Sequence, residues 1–385
     1  MKSKPKVLIF IDWYLPGFKA GGPIRSTVNM VNHLGQEYEF YILTRDTDYT
    51  STTPYTTITP NSWNNVSGAQ VYYLSKKAIK SKNIRRLIKE IDPDVIYVNG
   101  IYSIYFSILP LIISKQLGYR NIIVAGRGML AQSAIDVKGI KKKLFFKLAK
   151  FYKLHQGVTF HATNFSEKAD IQAVIGERVT IKVAPNLPEG TAIKTIPPIT
   201  RLKKIGELNL VSVARISPEK NTAYALELLK DFKGQGNIYF DLYGPIYNEA
   251  YWKTCEAIIA QMPSNISVSY KGSLEKEKVQ EALHQYHALF MPTKGENFGH
   301  IILESFIAGC PVIISNQTPW KNLAEQGVGY DIALANVPGF HAVIDDLMNQ
   351  DQMEYDRLSE NALQYGIAYC QDQTHLEANK ALFEF

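Results

Sequence analysis

The sequence predicts an α/β protein made of two doubly wound parallel-sheet domains, and three observations carry that reading. The chain is 385 residues long, more than a single domain of roughly 150 residues needs. Short apolar runs alternate with longer helical patterns throughout, the signature of strands joined by covering helices. The alternation pauses at a proline-rich stretch where the charge changes sign: up to Gly190 there are 26 Lys and Arg against 13 Asp and Glu, a net +13, and beyond it the net is −7. With 46% hydrophobic and 20% charged residues, the chain is neither disordered nor fibrous. Three scattered cysteines, Cys255, Cys310 and Cys370, exclude a disulfide scaffold and a CxxC metal or redox pair, and they suit a reducing compartment.

The elements follow in order. The apolar run at 6–11 is too short for a signal peptide and reads as the opening strand. Further strands fall at 39–43, 70–74, 95–98, 121–125, 157–162 and 180–183, with helices at 23–34 and 81–91 and a lysine-rich helix later. Residues 95–114 carry no charge over a membrane-spanning length, but Asn99-Gly100, the serines and tyrosines and Pro110 favour a buried strand, a turn and a helix start. The Thr-, Ser- and Asn-rich stretch 47–67 reads as an irregular loop. Pro185-Asn-Leu-Pro-Glu-Gly and Pro197-Pro198 mark the break, which gives a first domain at 1–188, a linker at 189–205 and a second domain at 206–370. In the second domain strands are expected at 208–214, 238–243, 266–271, 288–291 and 311–315, and helices near 221–232, 249–261, 275–286, 299–308 and 319–325. Doubly wound domains bind ligands at the carboxyl ends of their strands.

The basic excess peaks at Lys138, Lys141, Lys142, Lys143, Lys147, Lys150 and Lys153, with no acid between Asp136 and Glu167. Ile140, Leu144, Leu148 and Phe151 fall on one helical face, widened by Phe145, Phe146 and Tyr152. Such a helix either lies on an anionic membrane surface or is a domain helix with a solvated lysine face. No RNP1 or zinc-finger pattern accompanies the lysines, so nucleic acid is not an expected partner.

The richest segment is Pro292-Thr-Lys-Gly-Glu-Asn-Phe-Gly-His-Ile-Ile-Leu-Glu-Ser. It follows a strand and opens a helix near Gly299, whose free N–H groups form an anion site. Glu296 precedes that helix and Glu304 lies five residues beyond Gly299, about 7–8 Å along the axis. Carboxylates there suit the vicinal diols of a ribose or a hexose. Val213-Ala-Arg-Ile-Ser-Pro-Glu-Lys-Asn also joins a strand to a helix, and its Arg215 and Lys220 are a phosphate-binding pair.

Glu296 and Glu304 in E-x7-E spacing, Arg215 and Lys220 in their Arg-Ile-Ser-Pro-Glu-Lys context, and Gly309-Cys-Pro-Val-Ile together resemble the family 4 retaining glycosyltransferases. So do Gly21-Gly22-Pro23 with Arg25, Asp94-Val-Ile-Tyr-Val-Asn99-Gly, Gly126-Arg127-Gly128-Met129-Leu130 and Ala162-Thr-Asn-Phe-Ser-Glu167. The resemblance implies the GT-B fold of two facing Rossmann-like domains. The first binds the acceptor, the second binds the donor, and a C-terminal helix at 371–385 crosses back to the first.

The same resemblance implies that Arg215 and Lys220 hold the donor diphosphate, Glu296 the donor sugar and Glu304 the ribose. The backbone of Phe298, Gly299 and His300 supports sugar and phosphates, and Gly21 and Gly22 approach the diphosphate. Catalysis is assigned to Arg215, Lys220 and Glu296, and acceptor or sugar contacts to Arg25, Asn99 and Arg127. A first-domain histidine found in many members is missing here, because Arg127 and Gly128 occupy the corresponding loop. Arg127 then contacts sugar, phosphate or acceptor, or is structural. His161 reads as a core histidine, and Trp320 either stacks on a base or packs. The implied reaction is retaining hexosyl transfer from a nucleotide-diphosphate sugar, without metal or other cofactor.

An epimerase, a phosphorylase and a sugar-binding protein are the competing classes. The expected acceptor is a saccharide, free or lipid-linked, in bacterial surface polysaccharide or glycolipid assembly. The expected location is cytoplasmic, with peripheral attachment to the inner membrane face through Lys141 to Lys153.

Overall fold

A computed structural model describes residues 3–131, 139–190 and 201–385; Lys138 and Pro197-Pro198 lie outside them. The chain forms two units, Met1–Gly190 with Gln373–Phe385, and Thr191–Asp372.

In the first unit the strands are β1 (Lys6–Phe10), β2 (Glu39–Arg45), β3 (Trp63–Val66), β4 (Ala69–Leu74), β5 (Val95–Asn99), β6 (Ile122–Ala125), β7 (Thr159–Ala162) and β8 (Thr180–Val183). They make one sheet in the order β3-β4-β2-β1-β5-β6-β7-β8. All pairs are parallel except the edge pair β3–β4. The helices are α1 (Gly22–Leu34), α2 (Ser81–Ile91), α3 (Leu109–Gln116), α4 (Gly139–Phe151) and α5 (Phe165–Ile175). A parallel sheet covered on both faces needs strands that are apolar at every position. Val7, Leu8, Ile9 and Phe10 are accordingly all buried, with Leu8 and Phe10 in one core and Val7 and Ile9 in the other. The uncharged stretch 95–114 is β5, a turn, a π-helical segment (Ile104–Ile108) and most of α3.

The second unit holds β9 (Glu207–Val213), β10 (Asn237–Tyr243), β11 (Ile266–Tyr270), β12 (Ala288–Met291), β13 (Val312–Ser315) and β14 (Gly329–Ile332). They form an all-parallel sheet in the order β11-β10-β9-β12-β13-β14. Its helices are α6 (Thr222–Lys230), α7 (Glu249–Ile259), α8 (Val279–Leu283), α9 (His300–Ile307), α10 (Val337–Asn349) and α11 (Gln352–Gln371). Arg201 is buried at the C-terminal end of α9 and donates to the carbonyls of Ala308 and Gly309. It also donates to His284 O at 2.8 Å and to the Tyr355 and Ser359 hydroxyls at 3.1 and 3.2 Å. A cation there meets both the orphan carbonyls and the negative end of the helix dipole.

The last helix, α12 (Gln373–Leu382), belongs to the first unit. Leu382 and Phe383 are buried in the core of that unit, and the Phe383 ring lies 5.1 Å from Tyr38 and 6.2 Å from Tyr97. Asn379 Nδ2 donates to Pro185 O at 2.7 Å, and Lys182 Nζ donates to Ala381 O at 2.7 Å. Leu376 packs partly against this core, Ala381 is exposed and Phe383 is buried.

Three local expectations differ from the structure. Residues 319–325 form no helix: irregular backbone with the buried Trp320 leads into a turn that begins at Leu323. The stretch 47–67 contains β3, a polar edge strand without apolar alternation. On α4 the buried side is Ala149 with Phe145 and Phe146, which pack against Tyr102 at 5.4 and 5.9 Å. The single apolar face read from the sequence is thus split, because Leu144, Leu148, Phe151 and Tyr152 are exposed by 49–75%.

Candidate functional site

In the second sheet the chain changes direction between β9 and β12, and a doubly wound sheet opens its ligand crevice at the strand ends there. The turn after β9 runs close under β10. A Cβ on Gly244 would lie 1.9 Å from Ala214 O, so only glycine lets the two segments pass. Asn221, left-handed at φ 61°, donates from Nδ2 to Pro292 O at 3.0 Å and ties this turn to the end of β12. The buried Thr293 hydroxyl sits 3.0 Å from Glu219 O and 3.2 Å from Gly295 O. Lys294 N donates to Glu219 O at 3.0 Å, and Glu296 N to Gln317 O at 3.0 Å. The loops after β9, β12 and β13 are thus held together by hydrogen bonds.

This lacing brings two of the expected residues into contact. Lys220 Nζ donates to Glu296 Oε1 in an ion pair whose side chains are only 20% and 10% exposed. Arg215 stands exposed on the same turn. Burial pushes the Glu219 carboxyl up, yet its backbone amide, the Ser217 hydroxyl and the charges of Arg215 and Lys220 together hold it below its usual range.

Gly299 caps α9 at φ 78°, and a Cβ there would come within 2.7 Å of Ile302 Cδ1. His300 opens the helix, and Glu304 lies half-buried one turn further on. Phe298 is buried, with ring centroids at 4.8 Å from His300, 5.4 Å from Trp320 and 5.7 Å from Tyr369. Trp320 Nε1 donates to Phe298 O at 2.6 Å, and the indole is 4% exposed. Of the two readings of Trp320, packing is the one realised: it braces the loop that carries Phe298 and Gly299.

In the first unit Gly21, at φ 73°, caps α1, Gly22 begins it, and Arg25 follows half-buried in its first turn. Asn99 ends β5; its Nδ2 donates to Thr27 Oγ1 at 2.9 Å and its Oδ1 accepts from Arg127 Nε at 3.2 Å. Arg127 also donates to Asn186 Oδ1 at 2.7 Å and to Tyr97 OH at 2.8 Å. The Tyr97 hydroxyl then donates to His161 Nδ1 at 2.7 Å, and His161 Nε2–H donates to Ala184 O at 2.8 Å. Burial first, and Arg127 second, push the His161 pKa down to about 3, so the ring is neutral and this order of donors is the consistent one. His161 is a core histidine, as expected. Glu167, also buried, accepts from Gly128 N at 2.7 Å and from Thr163 N and Oγ1 at 2.8 Å, which anchors the Arg127 loop to β7.

A cavity of about 490 Å³ opens where β1, β2 and β5 end, with Asp12, Trp13, Arg45, Ser103 and Met129 in its lining. Motif spacing does not reveal these residues. Asp12 and Trp13 follow β1, Arg45 ends β2, Ser103 follows β5 and Met129 follows β6, and this place at the direction change of the sheet is the signal that finds them.

Residues 200–365 match the family Glycosyl transferases group 1. No curated protein matches the chain. A solved glycosyltransferase from Rickettsia africae ESF-5 superposes with a TM-score of 0.70 at 13% identity, covering 99% of this chain and 98% of that one. Anabaena Alr3699/HepE, solved in complex with UDP and glucose, gives 0.69 at 13% identity, with 98% of each chain covered. WaaG, a glycosyltransferase involved in lipopolysaccharide biosynthesis, gives 0.66 at 14% identity over 98% of each chain. The family match lies on the second unit and the likeness of fold runs along the whole length, so the chain has the GT-B fold of these glycosyltransferases.

Proposed function

We propose that this protein is a glycosyltransferase that moves a hexosyl group from a nucleotide-diphosphate sugar to an acceptor hydroxyl with retention of anomeric configuration. The reading rests chiefly on the Lys220–Glu296 pair, set beside the amino end of α9 at the direction change of the second sheet. Lys220 and Arg215 hold the diphosphate and take up charge as it leaves, and the N–H groups of Phe298, Gly299 and His300 add a helix terminus to that charge sink. Glu296, oriented by Lys220, accepts hydroxyls of the donor sugar, and Glu304 accepts those of the ribose. Gly21 and Gly22 offer unhindered backbone to the donor. The first unit takes the acceptor, with Arg25 nearby; Asn99 and Arg127 act as positioning residues, bonded to each other and to Thr27, Asn186 and Tyr97. As the bond from the anomeric carbon to the diphosphate breaks, the acceptor oxygen bonds to the same face and its proton passes to the leaving phosphate oxygen. Developing charge is met by fixed cations and amides, with no divalent ion in the step.

Two of the similar structures favour this reading: Anabaena Alr3699/HepE is in complex with UDP and glucose, and WaaG is involved in lipopolysaccharide biosynthesis. We place the protein in bacterial surface polysaccharide or glycolipid assembly, on the cytoplasmic membrane face. There α4 lies on anionic lipid, with Leu144, Leu148, Phe151 and Tyr152 exposed among Lys141, Lys143, Lys147 and Lys150. Among the described residues no helix is long and apolar enough to cross a membrane.

The test is release of free nucleotide from a panel of nucleotide sugars, with and without saccharide acceptors and with and without EDTA, the anomeric configuration of the product being read by NMR. Acceptor-dependent release that survives EDTA and yields a retained anomer is expected. A changed but uncleaved sugar nucleotide would identify an epimerase, phosphate-dependent cleavage a phosphorylase, and no turnover a binding protein.

A further inference from the structure

The cavity at the carboxyl ends of β1, β2 and β5 has a built polar floor. Asp12 Oδ1 accepts from Arg45 Nε at 3.1 Å, Arg45 Nη2 at 2.8 Å and Ser103 Oγ at 2.9 Å. That oxygen is saturated, while Asp12 Oδ2 and Arg45 Nη1 have no hydrogen-bond partner among the described residues. The Asp12 and Arg45 side chains are 18% and 29% exposed, so both can meet a ligand. Trp13, half-buried, forms one wall and is held by an edge contact to Tyr49 at 5.0 Å and by the Arg45 guanidinium at 5.8 Å. Ile101, Ile104 and Met129 add apolar lining. Ser107 also lines the cavity, and its fully buried Oγ has no partner among the described residues.

This set of groups selects a ligand class. A carboxylate oxygen accepts hydroxyls and a guanidinium N–H donates to them. An indole supplies a flat apolar wall with little entropy to lose. A pyranose offers the matching surfaces: hydroxyls around its edge and a patch of C–H groups on one face. The charge of Arg45 is already balanced by Asp12, so a phosphate or sugar acid would bring an anion to a site without net positive charge. The volume of about 490 Å³ falls within the roughly 300–1,000 Å³ usual for small-molecule pockets.

We propose that this cavity is the acceptor subsite and holds a neutral pyranose, with Trp13 stacking on the ring and Asp12 Oδ2 and Arg45 Nη1 reading its hydroxyls. The proposal rests on the reading above that the first unit takes the acceptor, and it names the acceptor chemistry. Trp13 and Asp12 are specificity residues here; neither carries out the transfer.

The experiment reads binding directly, so that the answer does not depend on turnover. Saturation-transfer NMR and tryptophan fluorescence are recorded on the full chain with the methyl glycosides of glucose, galactose, mannose and N-acetylglucosamine, with methyl glucuronide and with glucose 6-phosphate. At least one neutral glycoside is expected to bind, and its affinity to fall tenfold or more in Trp13→Ala and in Asp12→Asn. The charged sugars should compete at least tenfold less well. Asp12→Asn also unpairs Arg45, so Trp13→Ala with a native melting curve is the deciding variant. Equal affinity in both variants, preference for a charged sugar, or no binding of any neutral glycoside overturns the subsite. Binding that follows these expectations in a protein that transfers no sugar leaves the subsite standing and removes the catalytic reading. Transfer with unaltered acceptor KM in both variants does the reverse.

Discussion

Replacing Lys220 by Met separates two jobs that the structure gives to one ammonium group. The first is structural: Lys220 neutralises Glu296, which is only 10% exposed. Losing a hydrogen bond to a charged group costs about 1.5–3 kcal/mol. For a unit the size of Thr191–Asp372, at about 2–4 °C per kcal/mol, that is a fall in Tm of about 3–12 °C. The second job is in catalysis, where removing one charge-stabilising donor costs about a hundred- to a thousandfold in turnover. A second change, Glu296→Gln, distinguishes the two, because it removes the stranded charge without restoring the cation. In Lys220→Met/Glu296→Gln the Tm should return to within about 2–4 °C of the native protein, about 1 kcal/mol in stability, while turnover stays at or below the level of Lys220→Met. Scanning calorimetry reads the first quantity and acceptor-dependent nucleotide release the second. Near-native turnover in Lys220→Met, or turnover that recovers along with Tm in the double variant, would refute a direct role for Lys220 on the diphosphate.

Three further outcomes are expected. Glu304→Gln should raise the nucleotide Kd about ten- to a hundredfold by loss of a charged hydrogen bond; titration calorimetry with UDP and other nucleotide diphosphates checks this, and an unchanged Kd for all of them would count against the ribose assignment. Lys142, Lys143, Lys147 and Lys150 changed together to Gln should abolish co-sedimentation with anionic liposomes at low salt, since each lysine near such a surface contributes about 1 kcal/mol; equal sedimentation by both proteins, or none by the native one, would leave α4 without a membrane role. Burial holds the pKa of His161 near 3 and that of His287 near 4, below the unfolded value near 6.5. Between about pH 6.5 and 4 the unfolded chain therefore binds more protons, and stability present above pH 6.5 is lost on acidification by up to about 1.4 kcal/mol per pH unit for each ring. Urea midpoints should fall from pH 7 to pH 5, and equal midpoints would contradict two neutral buried imidazoles.

Strands buried on both faces and flanked by turn residues are easy to read, which is why β1, β2, β5 and β12 stand out in the sequence almost to the residue. The Glu296–Glu304 segment is legible for a related reason: a strand, a glycine-bearing loop and a helix start are all local features. What local pattern cannot supply is which partner a side chain chooses. β3 pairs at an edge, where Trp63-Asn-Asn-Val needs no apolar alternation. On α4 two apolar stripes compete, and Tyr102 selects the one with Phe145 and Phe146. The Lys220–Glu296 pair joins residues 76 apart in sequence, and the Asp12–Arg45 pair residues 33 apart. Each is set by strand order, which a single sequence does not display.

The last helix has a consequence for how the protein comes into being. Leu382 and Phe383 close a core that also contains Tyr38, Phe40 and Tyr97. On a ribosome, all of Thr191–Asp372 is synthesised between the bulk of the first unit and its final piece, a delay of about 10–40 s at roughly 5–20 residues per second. Throughout that interval the nascent first unit has all the strands of its sheet and an open apolar seam, and only at its end does the second unit have every residue of its own fold. The unit begun first is the one completed last, so shielding by a chaperone matters most there. A fragment ending at residue 190 would carry that seam permanently, and supplying α12 as a separate peptide is the way to close it.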